Sequence, residues 1–289
     1  MMSETRTRLA ALFLSLTLAL STQTLAAPLQ EGPEAGPDPM VFRVCSDANN
    51  MPFSNASGEG FENKIAELLA AKLGKSIAYT WYPNSIGFVR NTLGARKCDI
   101  IMGMPEGSEL ALLTNPYYAT AYALVFKPGA GLDGVTSLSD PRLKDKRIGI
   151  VAGTPPSDAM IANGLMPLAK PYPLAVDTRV DSSPQAMMKD LNAGAIDAGV
   201  LWGPIAGYYA MRANPKLDLV LLTQEPQGPR MSFRIAMAVR RQDKEFKRLL
   251  DRLIQENQPE IDAILLSYGV PLLDAQNRPI TAAVPAHKE

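Results

Sequence analysis

Apolar and polar positions along the chain predict short strands separated by helices. The run VFRVCSD (residues 41–47) has the alternation of a strand, and an apolar stripe with helical spacing follows it and is ended by Gly74. That stripe consists of Phe61, Ile65, Leu68, Leu69 and Leu73. The strand SIAYTWY, a helix around 87–95 and the strand CDIIMGM come next. This β-α-β-α-β order predicts a parallel sheet covered by helices.

The same order of elements restarts in the second half of the chain. It comprises the strand KRIGIVAG, a helix over 157–163, a strand near 174–180, a helix over 185–192 and the strand AIDAGVLWG. Two extended apolar segments, 114–129 and 217–241, flank this second set. Two further amphipathic stripes, within 246–254 and 261–268, predict helices at the C-terminus.

These patterns predict an α/β protein of two lobes joined by two crossing segments, with a cleft between the lobes. We expect the chain to cross near 117–122 and again near 229–234. Lobe 1 would comprise residues 41–119 together with 232–289, and lobe 2 would comprise residues 122–229. The physical reason is that neither part of lobe 1 contains enough helix to cover its sheet alone.

The first 26 residues have the features of a secretory signal peptide. Arg6 and Arg8 precede the apolar run from Leu9 to Leu20, and a Thr-Leu-Ala site predicts cleavage after Ala26. A membrane anchor is the alternative, but about 12 apolar residues are too few to span a bilayer. Residues 27–40, rich in Pro, Gly and acidic residues, predict a flexible leader. We therefore expect a mature periplasmic protein without a membrane span.

Export also affects the interpretation of the two cysteines. Cys45 and Cys98 lie in separate strand-like segments, and an even pair in an oxidising compartment favours a disulfide. Two buried free thiols are the alternative, whereas a redox-active pair lacks the C-x-x-C spacing. A bond closing a loop of about 54 residues would stabilise the fold by roughly 4 kcal/mol.

Composition and charge exclude several classes of function. The chain is 46% hydrophobic, and its 29 basic residues are balanced by 29 acidic ones. Disorder and broad electrostatic binding to nucleic acid are therefore disfavoured. A single histidine, His287, and two cysteines argue against a metal scaffold and against histidine-based catalysis. A calcium loop counted from Asp47 fails, because Pro52 occupies the position of the turn glycine. We expect neither an enzyme nor a cofactor.

The ends of the predicted strands carry the candidate binding residues. Gly153 and Thr154 end a strand and precede a helix, so backbone N–H groups there could hold an anion; a glycine turn with a threonine helix cap is the alternative. The carboxyl ends of strands line the crevice of open α/β sheets, so residues at these ends are expected in the cleft. They are Asp47, Asn49, Phe53, Trp81, Met104, Glu106, Tyr117 and Trp202. Core packing is the alternative for each aromatic residue.

Several segments resemble the family 3 solute-binding proteins of ABC importers, which have the type II periplasmic-binding-protein fold. The resemblance covers about residues 41–270 and is carried by GFENKIAELLAAKLG, RKCDIIMGMPEGSE, TNPYYATAYALVFK and LNAGAIDAGVLWGP. More specifically, VCSDANNMPFSN, GFVRNTLGARKCD and VLWGPIAGYYA resemble the MxaJ/XoxJ-type proteins encoded beside periplasmic quinoprotein methanol dehydrogenases.

The chain departs from the amino-acid-binding members of the family at both charged anchors. Those members carry an arginine that clamps the ligand carboxylate, where this chain has Leu110. They also carry an aspartate for the ligand ammonium, where this chain has Gly203. Free amino acids are therefore not expected as ligands.

The resemblance implies a monomeric, non-enzymatic accessory of a methanol dehydrogenase that depends on pyrroloquinoline quinone (PQQ). The dehydrogenase would then be the partner, contacted through an aromatic cleft. The alternative is a solute-binding subunit that delivers a small uncharged or aromatic solute to an ABC permease.

Overall fold

The computed structural model describes residues 38–226 and 228–280. The predicted signal peptide and residues 27–37 of the predicted leader lie outside the described residues. None of the helices in the described ranges is long and apolar enough to cross a membrane.

Strands and helices alternate through most of the described chain. The strands are β1 (Val41–Ser46), β2 (Asn49–Asn50), β3 (Ser54–Asn55), β4 (Ser76–Trp81), β5 (Ile100–Pro105), β6 (Leu112–Leu113), β7 (Tyr118–Phe126), β8 (Ile148–Val151), β9 (Lys170–Tyr172), β10 (Ala198–Trp202), β11 (Asp218–Leu221) and β12 (Ser232–Val239). The helices are α1 (Phe61–Lys72), α2 (Phe88–Asn91), α3 (Pro155–Ala162), α4 (Ser183–Ala193), α5 (Gly203–Arg212), α6 (Lys244–Glu256) and α7 (Gln258–Ser267).

Strand pairing divides these elements between two lobes. In lobe 1, β1 lies between β4 and β5 and is parallel to both, and β12 pairs antiparallel with β5. In lobe 2, β8 lies between β9 and β10 and is parallel to both, while β10 and β11 pair antiparallel with β7. The predicted two-lobed α/β fold is thus confirmed.

Strands β7 and β12 connect the two lobes. Residues 118–121 of β7 pair with 232–235 of β12, whereas from Tyr122 onward β7 pairs with β10 and β11. The partner of β7 therefore changes between Ala121 and Tyr122, inside the segment predicted to cross. The finer division into residues 41–119 with 232–289 and residues 122–229 stays a prediction.

Each lobe has its own buried core. In lobe 1, apolar side chains of α1, α6 and α7 cover one face of the sheet, among them Phe61, Leu250 and Ile261. In lobe 2, helix α3 packs on one side of the sheet and helices α4 and α5 on the other. Because the C-terminal helices bury their apolar stripes against lobe 1, that lobe is completed only by the end of the chain.

Two elements differ from the sequence prediction. The strand expected near residues 174–180 is wrong: this segment forms turns, and strand β9 lies at Lys170–Tyr172. Pro171 lies within β9 and is tolerated there because β9 is the edge strand of the sheet. Helix α5 was not predicted, because its sequence GPIAGYYAMR contains two glycines and small residues rather than a long apolar stripe.

Cys45 and Cys98 form the predicted disulfide, with their Cα atoms 5.5 Å apart. The bond joins β1 to the residues that precede β5, and it lies in a small apolar cluster with Phe88, Leu93 and Ile101. Beside it, Asp99 accepts hydrogen bonds from Arg43 at 2.6 and 2.8 Å and from Arg240 at 2.7 Å. This edge of lobe 1 is therefore held by both covalent and ionic contacts.

Removal of the disulfide is expected to destabilise lobe 1. In a Cys45→Ala/Cys98→Ala double variant, the free energy of unfolding should fall by about 4 kcal/mol, because the unfolded chain is no longer constrained by the closed loop. Urea denaturation measures this change. A reducing agent should destabilise the wild type but not the double variant, since the chain has 2 cysteines. Two freely alkylated thiols in the native protein would contradict the assignment.

Candidate functional site

A cavity of about 710 Å³ lies at the carboxyl ends of the lobe 1 strands. We call it cavity one. Its walls come from the residues after β1, the first turn of α1, the end of β5 and the segment 84–90. Tyr118 and Tyr122 of β7, Phe233 of β12 and Trp202 of β10 complete the wall toward lobe 2.

A second cavity, of about 1070 Å³, separates the lobes and is called cavity two here. Lobe 1 contributes residues 49–51 and 84–86 to its walls, and lobe 2 contributes Thr154 and the segment 173–186. Asn50, Tyr122 and Trp202 line both cavities. The two cavities therefore adjoin, with Trp202 at the junction, and we call them together the cleft.

Three aromatic rings pack together at this junction. The ring centroid of Trp202 lies 5.1 Å from that of Tyr122 and 5.8 Å from that of Phe233, and both pairs are edge-to-face. Such pairs are favourable beyond the area that they bury. The rings come from β7, β10 and β12, so strand pairing fixes their positions relative to one another.

The structure places several predicted residues in the cleft. Asp47, Phe53, Met104 and Trp202 line cavity one, whereas Asn49, Thr154 and again Trp202 line cavity two. Their location agrees with the rule that strand ends meet at one edge of the sheet. Their role in binding stays a prediction.

Four other predicted residues do not line either cavity. Tyr117 is buried in the lobe 1 core, where its hydroxyl donates to the carbonyl oxygen of Met102 at 2.9 Å. The neighbouring Tyr118 lines cavity one instead. Trp81 is half-exposed and stacks on Tyr79. Glu106 is exposed beyond the end of β5, and Gly153 is an exposed turn residue with a φ of 76°.

Several groups at the N-terminus of α3 that could have held an anion are missing or already paired. Its first two residues, Pro155 and Pro156, have no N–H group, and the N–H of Ser157 donates to the carbonyl oxygen of Thr154. The Thr154 hydroxyl donates to the carbonyl oxygen of Val151 at 2.6 Å. The alternative was a glycine turn with a threonine helix cap: the glycine turn is present, but the Thr154 side chain makes no capping hydrogen bond.

Asp47 organises the loops around the cleft. Its carboxylate accepts the N–H of Asn49 at 2.9 Å and the N–H of Asn84 at 2.8 Å. It also accepts the hydroxyl of Thr178, from lobe 2, at 3.3 Å. The side chain is buried and fully paired, so it connects three loops across the cleft.

Glu62 is the residue of the cleft that sequence reasoning missed, since its position suggested only a carboxylate at a helix start. It lies in the first turn of α1 and lines cavity one. Its carboxylate has no hydrogen-bond or ion-pair partner among the residues that the structure describes, and burial raises its pKa to about 8. The sequence offered one signal for this position. Gly103 interrupts the otherwise bulky, apolar strand β5, and a glycine in a strand often marks the place where another group, here the Glu62 carboxylate, approaches the backbone closely.

The two positions that hold a zwitterion in amino-acid-binding members carry no charge. Leu110 is exposed and lines cavity one. At Gly203, an added Cβ would lie 2.4 Å from the carbonyl oxygen of Ala121 and 2.5 Å from the hydroxyl of Thr120. Even an alanine would require movement there, so the backbone as it stands excludes an aspartate.

Two lobes of this topology, with a cleft at the strand ends, define a periplasmic binding protein of type II fold. The chain belongs to the bacterial extracellular solute-binding proteins, family 3, whose model matches residues 42–269. This match confirms the family resemblance inferred from the sequence segments.

Individual relatives are also similar. The chain is 31% identical to protein MoxJ of Methylorubrum extorquens AM1, over 94% of this chain and 98% of that protein. It is 26% identical to protein MoxJ of Paracoccus denitrificans, over 86% and 95%. The crystal structure of the periplasmic binding protein XoxJ from Methylobacterium extorquens AM1 superposes with a TM-score of 0.69 at 40% identity, covering 81% of this chain and 99% of that chain.

We expect the purified protein to show no affinity for free amino acids stronger than about millimolar. An ammonium and a carboxylate left without their usual partners cost several kcal/mol, against the roughly 8 kcal/mol that micromolar binding requires. Calorimetry with the twenty standard amino acids tests this expectation. Micromolar affinity for any of them would show that other residues have replaced the two anchors.

The raised pKa of Glu62 also predicts a pH dependence of stability. The folded protein holds a proton on Glu62 that the unfolded chain releases near pH 4.5, so stability is lost as the pH rises toward about 8. Between pH 5 and pH 9, the wild type should lose on the order of 4 kcal/mol relative to Glu62→Gln. Urea denaturation across this range measures the difference. The exposed Glu67, changed to Gln, is the control, and parallel curves for the wild type and Glu62→Gln would contradict the assignment.

Proposed function

We propose that this protein is a periplasmic, non-enzymatic accessory of a PQQ-dependent methanol dehydrogenase, which it contacts or activates through the cleft. The similarity to MoxJ and XoxJ supports the association with methanol oxidation. One observation supports a contact through the cleft. The cleft has aromatic walls, and Leu110 and Gly203 stand where amino-acid-binding members carry the two charged residues that hold their ligand.

Exposed apolar side chains around the mouth of the cleft support a protein partner. Ile86 is fully exposed, and Leu110, Leu174 and Val180 are 69%, 61% and 84% exposed. Each of these four side chains lines cavity one, cavity two or both. Large apolar side chains clustered around a concave surface are typical of interaction sites. Such a rim suits an extended apolar element of a partner better than a small polar solute.

Trp202 is the proposed central anchor of the contact. It lies where the two cavities join, and its ring is held by Tyr122 and Phe233. Aromatic side chains near the centre of an interface, surrounded by residues that exclude water, contribute most of the binding energy. A rigid ring at the junction therefore fits this role.

The second candidate is a solute-binding subunit of an ABC importer. The volume of cavity one, about 710 Å³, is within the range of small-molecule sites, and its aromatic wall suits an uncharged or aromatic solute. Native mass spectrometry of protein taken from its own periplasm separates the two candidates. A bound small molecule would favour import, and a co-purified dehydrogenase would favour the accessory function.

The substitution Trp202→Ala should weaken dehydrogenase binding by at least about 2 kcal/mol, or roughly 30-fold, if Trp202 is a central anchor. Pull-down with the purified dehydrogenase and an activity assay measure the loss of binding and of activation.

The chain offers a matched control for this variant in Trp81, the other of its 2 tryptophans. Trp81 is half-exposed and lies outside both cavities. Trp81→Ala should bind and activate the dehydrogenase like the wild type. If Trp202→Ala folds, as judged by circular dichroism, and also behaves like the wild type, the cleft is not the docking site.

A further inference from the structure

We propose that cavity one is a binding site for a small organic ammonium ion, with the Glu62 carboxylate as the counter-ion of the ligand. This inference goes beyond the proposed contact with a dehydrogenase, because it concerns a small ligand in lobe 1. It also uses a position different from the two lost anchors, Leu110 and Gly203.

The first argument is that Glu62 is unpaired. Its carboxylate lines the cavity and has no partner among the described residues, and no positive side chain offsets its burial. The Glu62 side chain is half-buried, and a charged group partly removed from water is destabilised unless it is paired. The first turn of α1 supplies only a partial positive charge from the helix dipole. A ligand cation is the partner that this position lacks.

The second argument is the space that Gly103 leaves for this carboxylate. A Cβ atom at Gly103 would lie 2.3 Å from Oε1 of Glu62, well inside contact distance. Gly103 also lines cavity one. The absence of a side chain on β5 therefore allows the carboxylate to rest against the strand at the wall of the cavity.

The third argument is the aromatic wall. Phe53, Tyr118, Tyr122, Trp202 and Phe233 line the same cavity as Glu62. The faces of aromatic rings attract cations, and desolvation strengthens that attraction. A carboxylate combined with several rings is the arrangement that recognises alkylammonium groups, and in particular quaternary ones, which form no N–H hydrogen bonds.

The other titratable groups near the cavity leave Glu62 without a partner. Asp47 and Arg90 line it, but Asp47 is fully hydrogen-bonded and Arg90 is exposed to solvent. Tyr79, Tyr117 and Tyr118 interact electrostatically with Glu62, and burial raises the pKa of each, so all three stay neutral near pH 7. Glu62 is thus the carboxylate that remains available to a ligand.

The test uses choline and its uncharged isostere, 3,3-dimethylbutan-1-ol, which differ in the charge on one atom. Calorimetry at pH 6 and pH 9 compares the wild type with Glu62→Gln and with Glu67→Gln. Glu67 lies on the same helix and is exposed, so its variant is the matched control. Circular dichroism establishes that each variant is folded.

We expect the wild type to bind choline more tightly than the alcohol, and more tightly at pH 9, where Glu62 is ionised, than at pH 6. Glu62→Gln should weaken choline binding at least about 10-fold at pH 9 and remove the pH dependence, with the alcohol unaffected. Glu67→Gln should match the wild type. Equal affinity for choline and the alcohol, choline binding unchanged in Glu62→Gln, or no choline binding by the wild type up to about 20 mM at pH 9 would each overturn the proposal.

The dehydrogenase pull-down distinguishes this inference from the proposed function. Glu62→Gln should retain dehydrogenase binding, because Glu62 lies inside cavity one rather than on the apolar rim. Loss of choline binding with dehydrogenase binding intact would support the ammonium site alone. Retained choline binding in that variant would overturn the ammonium site, whatever the pull-down shows.

Discussion

Antiparallel pairing between β7 and β12 is the constraint on which the rest of the structure depends. Residues 118–121 and 232–235 pair with each other, and each strand then continues into a different sheet. β7 continues to β10 and β11, whereas β12 continues to β5 and β6. Tyr122 and Phe233 lie on these two strands, so the pairing that joins the lobes also places the aromatic wall of the cleft.

The cleft contains two carboxylates with opposite roles. Each carboxylate oxygen of Asp47 accepts a hydrogen bond from a backbone N–H, and these bonds hold the surrounding loops in place. The Glu62 carboxylate has no such donor among the described residues. Its position is set by the backbone of α1, and the missing side chain at Gly103 leaves room for it. A satisfied buried group contributes to specificity of the fold, whereas an unsatisfied one lowers stability. The difference between the two explains why one is assigned to architecture and the other to binding.

The sequence predicted those parts of the fold whose signal is local and repeated. Helix α1 was predicted from five apolar residues on one stripe, and β1 and β5 were predicted from short apolar runs. Helix α5 could not be predicted in this way, because its packing depends on close contact: an added Cβ at Gly207 would lie 1.8 Å from the carbonyl oxygen of Gly269. Small residues at such contacts carry no hydrophobic pattern.

The sequence could not place side chains where two neighbouring residues point to opposite sides of the chain. Tyr117 and Tyr118 are adjacent at the start of β7, and consecutive side chains in an extended segment point to opposite sides. Only tertiary structure decides which of the two faces the core. Glu62 was missed for a related reason, since a carboxylate near a helix start has an adequate local explanation. Its isolation becomes visible only when β5 is placed beside it.

The disulfide makes one wall of cavity one sensitive to the redox state of the surroundings. Cys45 lines cavity one and Cys98 does not, so the covalent bond connects a residue of the cavity wall to the residues that precede β5. A newly synthesised chain in a reducing cytosol keeps both thiols, and β1 is then free of its covalent tie to the start of β5. Oxidation of the two thiols therefore stabilises lobe 1 and, at the same time, ties one residue of the cavity wall to the strand beside it. The stability of lobe 1 is in this way coupled to the redox state of its surroundings.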